Sequence, residues 1–268
     1  MTLSQKKLFL LDMDGTIYLG DRLFDGTLDF LHAVKARGGR YVFLTNNSSR
    51  GIDRYLEKLQ AMGIAAQPDE FFTSADATIR YLKAAYPSGM VYYVCGTESL
   101  KRQLRAAGLK IAERPDDTVG AVLLGYDTEL TYQKLEDCCI LLMRGADYIA
   151  THPDMVCPTW YGSAPDCGSV IEMLCTATGR RPKVIGKPQP EMALLAMEKY
   201  GCSKAQTCLI GDRVYTDIAC GVNAGIDTIF VLSGEGVLDD IQKYHVQPTY
   251  CMKNIREVLN TLQKGDPA

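Results

Sequence analysis

The stretch LFLLDMDGT, residues 8–16, places two carboxylates directly after four apolar residues. The apolar run predicts a buried strand. Alternate residues of an extended segment point the same way, so Asp12 and Asp14 face one side together. Two like charges this close repel each other unless a cation lies between them or one is protonated, and Mg²⁺ prefers such oxygen ligands. Gly15 lets the backbone turn sharply. Asp and Gly are also common in ordinary turns. Whether this segment is a turn or part of a functional site must therefore be judged from the segments that follow the other predicted strands.

Strands and helices alternate along most of the chain. Short apolar runs predict buried strands, whereas apolar residues three and four apart predict helices, most clearly over residues 52–62 before the stop signal Gly63. This alternation predicts an α/β fold with a parallel sheet covered on both faces. The predicted strands are 8–11, 41–44, 91–94, 121–124, 148–150, 183–185, 208–210 and 228–232.

Three further polar segments follow predicted strands, at the edge where parallel sheets bind ligands. Residues 45–49, TNNSS, offer hydroxyl, amide and N–H groups that suit an anion and equally suit a helix cap. Lys187, between a glycine and a proline, is a positioned charge that can neutralise a phosphate, although most lysines are only solvated. In GDRVYTD, residues 211–217, Asp212 suits a metal site, and Asp217 suits either that site or a helix start.

Composition excludes several classes of protein. The 268 residues are 47% hydrophobic and 23% charged with a net charge of −3, as in a folded protein. Apolar runs reach six residues, as at 138–143, whereas a membrane span needs about 20, and no signal-peptide run follows Lys6. We therefore expect a cytoplasmic protein without a membrane partner. A pI near 5.7 gives the protein no overall positive electrostatic field that would attract nucleic acid, so we expect no nucleic-acid partner. The ten cysteines are scattered and include no CxxC pair, which predicts reduced thiols.

In this order, DMDGT, TNN, a lone lysine and GDRVYTD resemble the signature of the haloacid dehalogenase (HAD) superfamily of phosphatases. TNNSS, GKPQP and THPD, residues 151–154, further resemble the NagD-like branch (HAD family IIA, p-nitrophenyl phosphatase-like), over essentially the whole chain. The resemblance implies a Rossmann-like, doubly wound parallel sheet core at 1–78 and 179–268, with a large α/β cap domain inserted at 79–178. Strand ends in the middle third carry few reactive residues, which also indicates an insertion there.

Carried over residue by residue, the resemblance implies a Mg²⁺-dependent phosphomonoester hydrolase. Asp12 would be the nucleophile that forms an aspartyl-phosphate, and Asp14 the general acid and base. The metal would be bound by Asp12, the backbone carbonyl of Asp14 and Asp212, while Asp217 would orient the metal ligands or Lys187 from behind. The residues implied to bind the substrate's phosphate group are Gly15, Thr45, Asn46, Asn47 and Lys187.

Substrate choice is expected to depend on the cap, since residues outside the phosphate site must bind the leaving group. Asp166, in a glycine-containing loop before a helical stretch from Val170, is its candidate specificity residue. The sequence departs there from branch members, which carry a small residue or glycine at this position. Trp160 and His152 are interpreted as packing or structural residues. The expected partner is a small soluble phosphomonoester, a sugar phosphate or a nucleotide, and a cap-mediated homodimer is left open.

Two other functions remain open on the same residues. A phosphotransferase or mutase shares the aspartyl-phosphate and passes the phosphoryl group to an acceptor other than water. A phosphoryl-accepting switch also uses Asp, Thr and Lys around Mg²⁺, but Asp14 argues against it because it supplies the acid and base that turnover needs.

Overall fold

A computed structural model describes residues 2–159 and 161–264 of the chain, in which strands and helices alternate. The helices are α1 (Thr27–Ala36), α2 (Ile52–Ala61), α3 (Ser74–Ala85), α4 (Glu98–Ala106), α5 (Tyr132–Met143), α6 (Cys167–Thr178), α7 (Pro190–Tyr200), α8 (Ala219–Ala224), α9 (Asp239–Tyr244) and α10 (Ile255–Lys264). The strands are β1 (Leu8–Leu11), β2 (Tyr18–Leu19), β3 (Arg22–Leu23), β4 (Arg40–Thr45), β5 (Phe71–Thr73), β6 (Val91–Cys95), β7 (Lys110–Ala112), β8 (Val119–Leu124), β9 (Asp147–Ala150), β10 (Val156–Thr159), β11 (Gly162–Pro165), β12 (Lys183–Val184), β13 (Thr207–Gly211), β14 (Asp227–Val231) and β15 (Tyr250–Met252).

The chain forms two compact units. The first comprises the chain up to Thr45, Ile52–Phe72 and the chain from Lys187 onward. The second comprises Asn46–Gly51 and Thr73–Gly186. The functional division into a hydrolase core at 1–78 and 179–268 and a cap at 79–178 stays a prediction.

The first unit is built on a six-stranded sheet with the order β15-β14-β13-β1-β4-β5. Strand β1 lies inside this sheet and pairs in parallel with both neighbours, so that Leu8 is opposite Thr207 on β13 and Arg40 on β4. All four residues of β1 are buried, as expected for a parallel strand with helices on both faces. The carboxyl ends of β1, β4 and β13 therefore share one edge of the sheet.

Apolar side chains from the sheet and the flanking helices hold this edge in place. Phe9 on β1 is packed edge to face against Phe30 of α1, with ring centroids 5.6 Å apart. Both rings are fully buried, and burial of each stabilises the fold by about 1.5–3 kcal/mol. Val258 and Leu262 of α10 belong to the same core.

The second unit has its own five-stranded sheet, with the order β12-β9-β8-β6-β7 and parallel pairing throughout. A separate two-stranded antiparallel hairpin consists of β10 and β11. Helices α5 and α6 supply Leu141 and Ile171 to a core that also contains Tyr93, Val122 and Ala150 from the strands.

The predicted α/β class with parallel sheets is confirmed. Each strand predicted from an apolar run is present, within two residues of its expected ends. Thr73 caps α3, which begins at Ser74, and α6 begins at Cys167. Within the described ranges, 2–159 and 161–264, no helix is both long enough and apolar enough to cross a membrane.

Candidate active site

Asp12 lies at the carboxyl end of β1, where the sheet presents it between two neighbouring strands. Its backbone N–H continues the parallel ladder by donating to the Ile210 carbonyl on β13, at 2.9 Å. Its side chain retains 18% exposure. The carboxylate is thus held by a rigid, buried strand and is still accessible to a small ligand.

Lys187 makes the principal contact with Asp12. Its Nζ donates to Asp12 Oδ1 and to Asp217 Oδ1, both at 2.6 Å, and to the Leu44 carbonyl at 3.0 Å. The side chain is 4% exposed. Burial alone would lower its pKa, but the two carboxylates outweigh burial and raise the pKa above its ordinary value, so that the ammonium stays charged.

Three carboxylates meet at this point. Asp12, Asp212 and Asp217 each offer an oxygen, and the three oxygens lie within 4.8 Å of one another. Burial and the charge of Asp217 raise the pKa of Asp12 to about 8 and that of Asp212 to about 6. Because such shifts report crowded negative charge in a poorly hydrated place, these side chains suit a hard divalent cation.

Asp212 directly follows β13, and only one of its two carboxylate oxygens has a hydrogen-bond partner. Its Oδ2 accepts a hydrogen bond from the Glu235 backbone N–H at 2.8 Å. Its Oδ1 is buried and has no hydrogen-bond partner. A buried carboxylate oxygen without a partner is costly, and a bound cation would satisfy it.

Two glycines allow the backbone to approach Asp212 closely. A Cβ at Gly15 would lie 2.3 Å from Asp212 Oδ2, and one at Gly234 would lie 2.0 Å from the same atom. Gly15 also has φ +85°, a conformation that side-chain-bearing residues rarely adopt. The Gly15 carbonyl accepts a hydrogen bond from Ser233 Oγ at 2.8 Å. The glycine of DMDGT is therefore required by the packing around Asp212.

Asp14 differs from the clustered carboxylates. Its side chain is exposed, and its carboxylate is not a member of the group of three. Partial removal from water raises its pKa, while the positive charges of Lys58 and Arg213 act in the opposite direction. An accessible carboxyl group that retains its proton to higher pH is suited to proton transfer.

Asp217 lies within a short π-helical turn, Val214–Ile218, rather than at the start of a regular helix. Its Oδ2 accepts from the Arg213 backbone N–H at 3.2 Å, and its Oδ1 accepts from Lys187. A Cβ at Gly211 would lie 2.2 Å from Asp217 Cβ, so this close approach requires a glycine there. Asp217 is thus bound to Lys187 and also lies among the candidate metal ligands.

The TNNSS segment is divided between the two units. Thr45 ends β4 in the first unit, whereas Asn46 and Asn47 belong to the second. The Asn46 amide donates to both oxygens of Asp154, at 3.1 and 3.2 Å. Asn47 Oδ1 accepts from the backbone N–H and the hydroxyl of Ser49, at 2.9 and 2.8 Å. Both amide side chains therefore have contacts within the segment's own unit.

Asp166 is buried in the second unit as the N-cap of α6. Its Oδ1 accepts from the Cys167 backbone N–H at 2.5 Å, and the same oxygen lies 3.6 Å from His152 Nε2. Its predicted role in substrate choice stays a prediction. Trp160 lies outside the described residues.

Sequence reasoning missed two contributions to the site. Glu235 donates its backbone N–H to Asp212 and pairs its carboxylate with Arg213, at 3.0 Å. Ser233 supports Gly15. The glycines at 234 and 236, directly after a predicted strand, were the available signal, because they resemble those that follow Asp14 and precede Lys187.

Comparisons with known proteins identify relatives of the whole chain. The model of the haloacid dehalogenase-like hydrolases matches residues 9–110, and a HAD-hydrolase-like model matches residues 184–258. An acid sugar phosphatase of Staphylococcus aureus (strain USA300) is 37% identical over 262 residues, which cover 98% of this chain and 100% of the relative.

Solved structures give the same result. A 4-nitrophenylphosphatase from Thermotoga maritima matches with a TM-score of 0.90 and 40% identity, covering 97% of this chain and 99% of that one. A glycerol phosphate phosphatase from Mycobacterium tuberculosis, solved in complex with magnesium, matches with a TM-score of 0.89 and 30% identity, covering 96% and 78%. The resemblance read from the motifs is confirmed: the chain belongs to the haloacid dehalogenase-like hydrolases, in their NagD-like phosphatase branch.

Proposed function

We propose that this phosphatase hydrolyses small phosphomonoesters with Mg²⁺ and through an aspartyl-phosphate on Asp12. The observation that carries the proposal is the position of Asp12, which lies at a strand end, bonded to Lys187 and grouped with Asp212 and Asp217. The sequence further leads us to propose a cytoplasmic location, without a nucleic-acid partner.

Asp12 acts as the nucleophile. Its partly exposed carboxylate forms a bond to phosphorus as the bond from phosphorus to the leaving oxygen breaks. Lys187 favours the ionised form of this carboxyl group against the burial that raises its pKa, because its buried ammonium group donates to Oδ1. Lys187 also offsets part of the charge of the incoming phosphate.

Asp14 moves the protons in both steps. As an acid it protonates the leaving alkoxide, and as a base it then takes a proton from the water that attacks phosphorus. That attack releases inorganic phosphate and regenerates the Asp12 carboxylate. The exposed position and raised pKa of Asp14 support this role.

Asp12, Asp212 and the backbone carbonyl of Asp14 would hold the Mg²⁺ ion. When bound, the cation offsets the repulsion between these carboxylates and the phosphate. The open Oδ1 of Asp212 supports this assignment, as does the magnesium in the related glycerol phosphate phosphatase. Asp217 also lies in the carboxylate group, but its two oxygens already accept from Lys187 and from the Arg213 backbone. We therefore propose that it orients Lys187.

Thr45, at the end of β4, and the backbone of the segment that follows it would bind the phosphate oxygens, together with Gly15 and Lys187. Asn46 and Asn47 are proposed to contribute through their backbone, because their amide groups already contact Asp154 and Ser49. The relatives are named as an acid sugar phosphatase, a 4-nitrophenylphosphatase and a glycerol phosphate phosphatase. These names favour a sugar or polyol phosphate as substrate.

Phosphate release from a panel of sugar phosphates, glycerol phosphate, nucleoside monophosphates and 4-nitrophenyl phosphate tests this function. We expect release with Mg²⁺ and none with excess chelator. Phosphate transfer to a sugar without release would instead identify a mutase, and a stable phosphoprotein without turnover would identify a switch.

A further inference from the structure

A partly buried polar cluster of the second unit surrounds the side chain of Asn46. The amide Nδ2 donates to both carboxylate oxygens of Asp154, which lies 108 residues from Asn46 in the chain. A carboxylate accepts hydrogen bonds and cannot donate them, so Asp154 fixes which end of the amide faces it. The Asn46 Oδ1 faces Gly186, where a Cβ would lie only 2.6 Å away. The amide is therefore confined on both sides.

His152 restrains Asp154 in turn. The imidazole is fully buried, with Nδ1 3.5 Å from Asp154 Oδ2 and Nε2 3.6 Å from Asp166 Oδ1. Neither ring nitrogen has a hydrogen-bond partner. Each lies instead at ion-pair distance from one of the two carboxylates. The ring thus separates two acidic side chains and limits where Asp154 can move.

The segment that begins at Asn46 is tied to the same unit at further points. Ser74 Oγ donates to the Asn46 carbonyl, Thr97 Oγ1 donates to the Ser49 carbonyl at 2.9 Å, and the Ser48 hydroxyl lies 3.0 Å from that of Thr151. These contacts fix the backbone, whereas Asp154 fixes the side chain of the first residue after Thr45.

We infer that Asp154 is a positioning residue for phosphate binding, and that the Asn46 side chain anchors the segment instead of touching the substrate. The inference rests on the proposed function, in which the backbone after Thr45 binds the phosphate group. Asp154, supported by His152, thereby contributes to substrate affinity. It lies 108 residues from Asn46 in the chain, so no spacing along one helix or strand predicts this role.

An exchange of the two side chains tests this inference. Asn46→Asp places two carboxylates face to face, and we expect it to raise KM for 4-nitrophenyl phosphate and Ki for inorganic phosphate about tenfold or more, as for loss of a hydrogen bond to a charged group. Asp154→Asn retains an acceptor oxygen and should cost only a few-fold. The double variant again pairs an amide with a carboxylate, so it should recover to within about threefold of the wild type.

The double variant separates anchoring from direct phosphate contact. If the Asn46 side chain touched the phosphate, the double variant would place the carboxylate introduced at position 46 against the phosphate dianion. Adding Asp154→Asn would then fail to rescue Asn46→Asp, and that result would overturn the inference. Asp117→Asn, at a fully exposed aspartate of the same unit, is the matched control and should leave KM and Ki unchanged.

Thermal unfolding of the same variants distinguishes this inference from the proposed function. Asn46→Asp should lower Tm, and the exchange should restore it, because the bond is internal to one unit. A wild-type protein that hydrolyses no phosphomonoester would overturn the proposed function and with it the role of Asp154 in affinity. An active wild type whose KM is the same in all three variants would overturn the inference alone.

Discussion

Gly15 and Gly234 determine how closely the backbone surrounds the Asp212 carboxylate. Either Cβ would come within 2.3 Å of Asp212 Oδ2, which is far inside van der Waals contact. The site therefore depends on residues that lack a side chain as much as on the charged ones.

Gly15→Ala is expected to reduce turnover at least tenfold while the protein remains folded. The new methyl group would displace the Asp212 carboxylate, and misplacement of about 1 Å near reacting groups costs about a hundredfold in rate. Gly38→Ala is the control, since Gly38 also has positive φ but a Cβ there meets nothing within 4 Å. Gly38→Ala should lower the free energy of unfolding by only about 1–2 kcal/mol, the cost of a left-handed backbone conformation at alanine. Steady-state kinetics and unfolding curves of both variants check this, and equal activities would contradict it.

The carboxylate group predicts how the metal-free protein responds to pH. The pKa values of Asp12 and Asp212 are raised to about 8 and about 6, against about 3.9 in the unfolded chain. Between about pH 4 and 8 the folded state therefore binds more protons than the unfolded state, and these groups make stability fall as pH rises.

Unfolding temperatures in chelator between pH 5 and 8 test this. We expect Asp12→Asn to remove part of the downward slope, and Mg²⁺ to stabilise the wild type more as pH rises, because the cation competes with protons for the same oxygens. The same slope in wild type and Asp12→Asn would contradict the assignment.

Among the elements, the strands were predicted best. The run 8–11 coincides with β1, and the other apolar runs lie within β4, β6, β8, β9 and β13 or overlap β12 and β14, because a buried parallel strand needs little beyond a short apolar sequence. The strands that were missed have only two to four residues each: β2, β3, β5, β7, β10, β11 and β15. Lys110 in β7 and Pro165 in β11 interrupt the apolar pattern as well.

Contacts between distant elements were beyond sequence reasoning. Asp217 was expected to orient the metal ligands or Lys187, and its Oδ1 accepts from Lys187. Its place in a π-helical turn among the candidate metal-binding carboxylates has no sequence signal. The pairing of Asn46 with Asp154 spans 108 residues. Neither contact follows a spacing along one helix or strand, which is what sequence periodicity reports.

Asp166 belongs to the scale of the helix that it caps. We expect Asp166→Ala to destabilise the protein by about 0.5–2 kcal/mol, through loss of the N-cap of α6, whereas Asp166→Asn, which also caps well, should cost much less. Denaturant unfolding measures both. If Asp166 also selects the substrate, Asp166→Asn will change the order of preferred phosphomonoesters; an unchanged order with reduced stability in Asp166→Ala would leave it a purely structural residue.

On the scale of the whole molecule, the chain passes between the two units beside two of the motifs. One passage lies between Thr45 and Asn46, and another between Gly186 and Lys187. The residues proposed for phosphoryl and proton transfer all belong to the first unit: Asp12, Asp14, Lys187, Asp212 and Asp217. The second unit holds the anchor of Asn46 and the candidate specificity residue, and we propose that substrate preference varies with that unit.

The central claim is that Asp12 becomes phosphorylated, and one side-by-side measurement tests it most directly. Wild type and Asp12→Asn are mixed with 4-nitrophenyl phosphate and Mg²⁺, quenched in acid, and analysed for phosphate release and for a phosphoryl group on the peptide that contains residue 12. We predict the modified peptide in the wild type alone, and turnover at least about 10³-fold slower in Asp12→Asn, as when other nucleophiles are removed. Turnover of Asp12→Asn within tenfold of the wild type would contradict the claim.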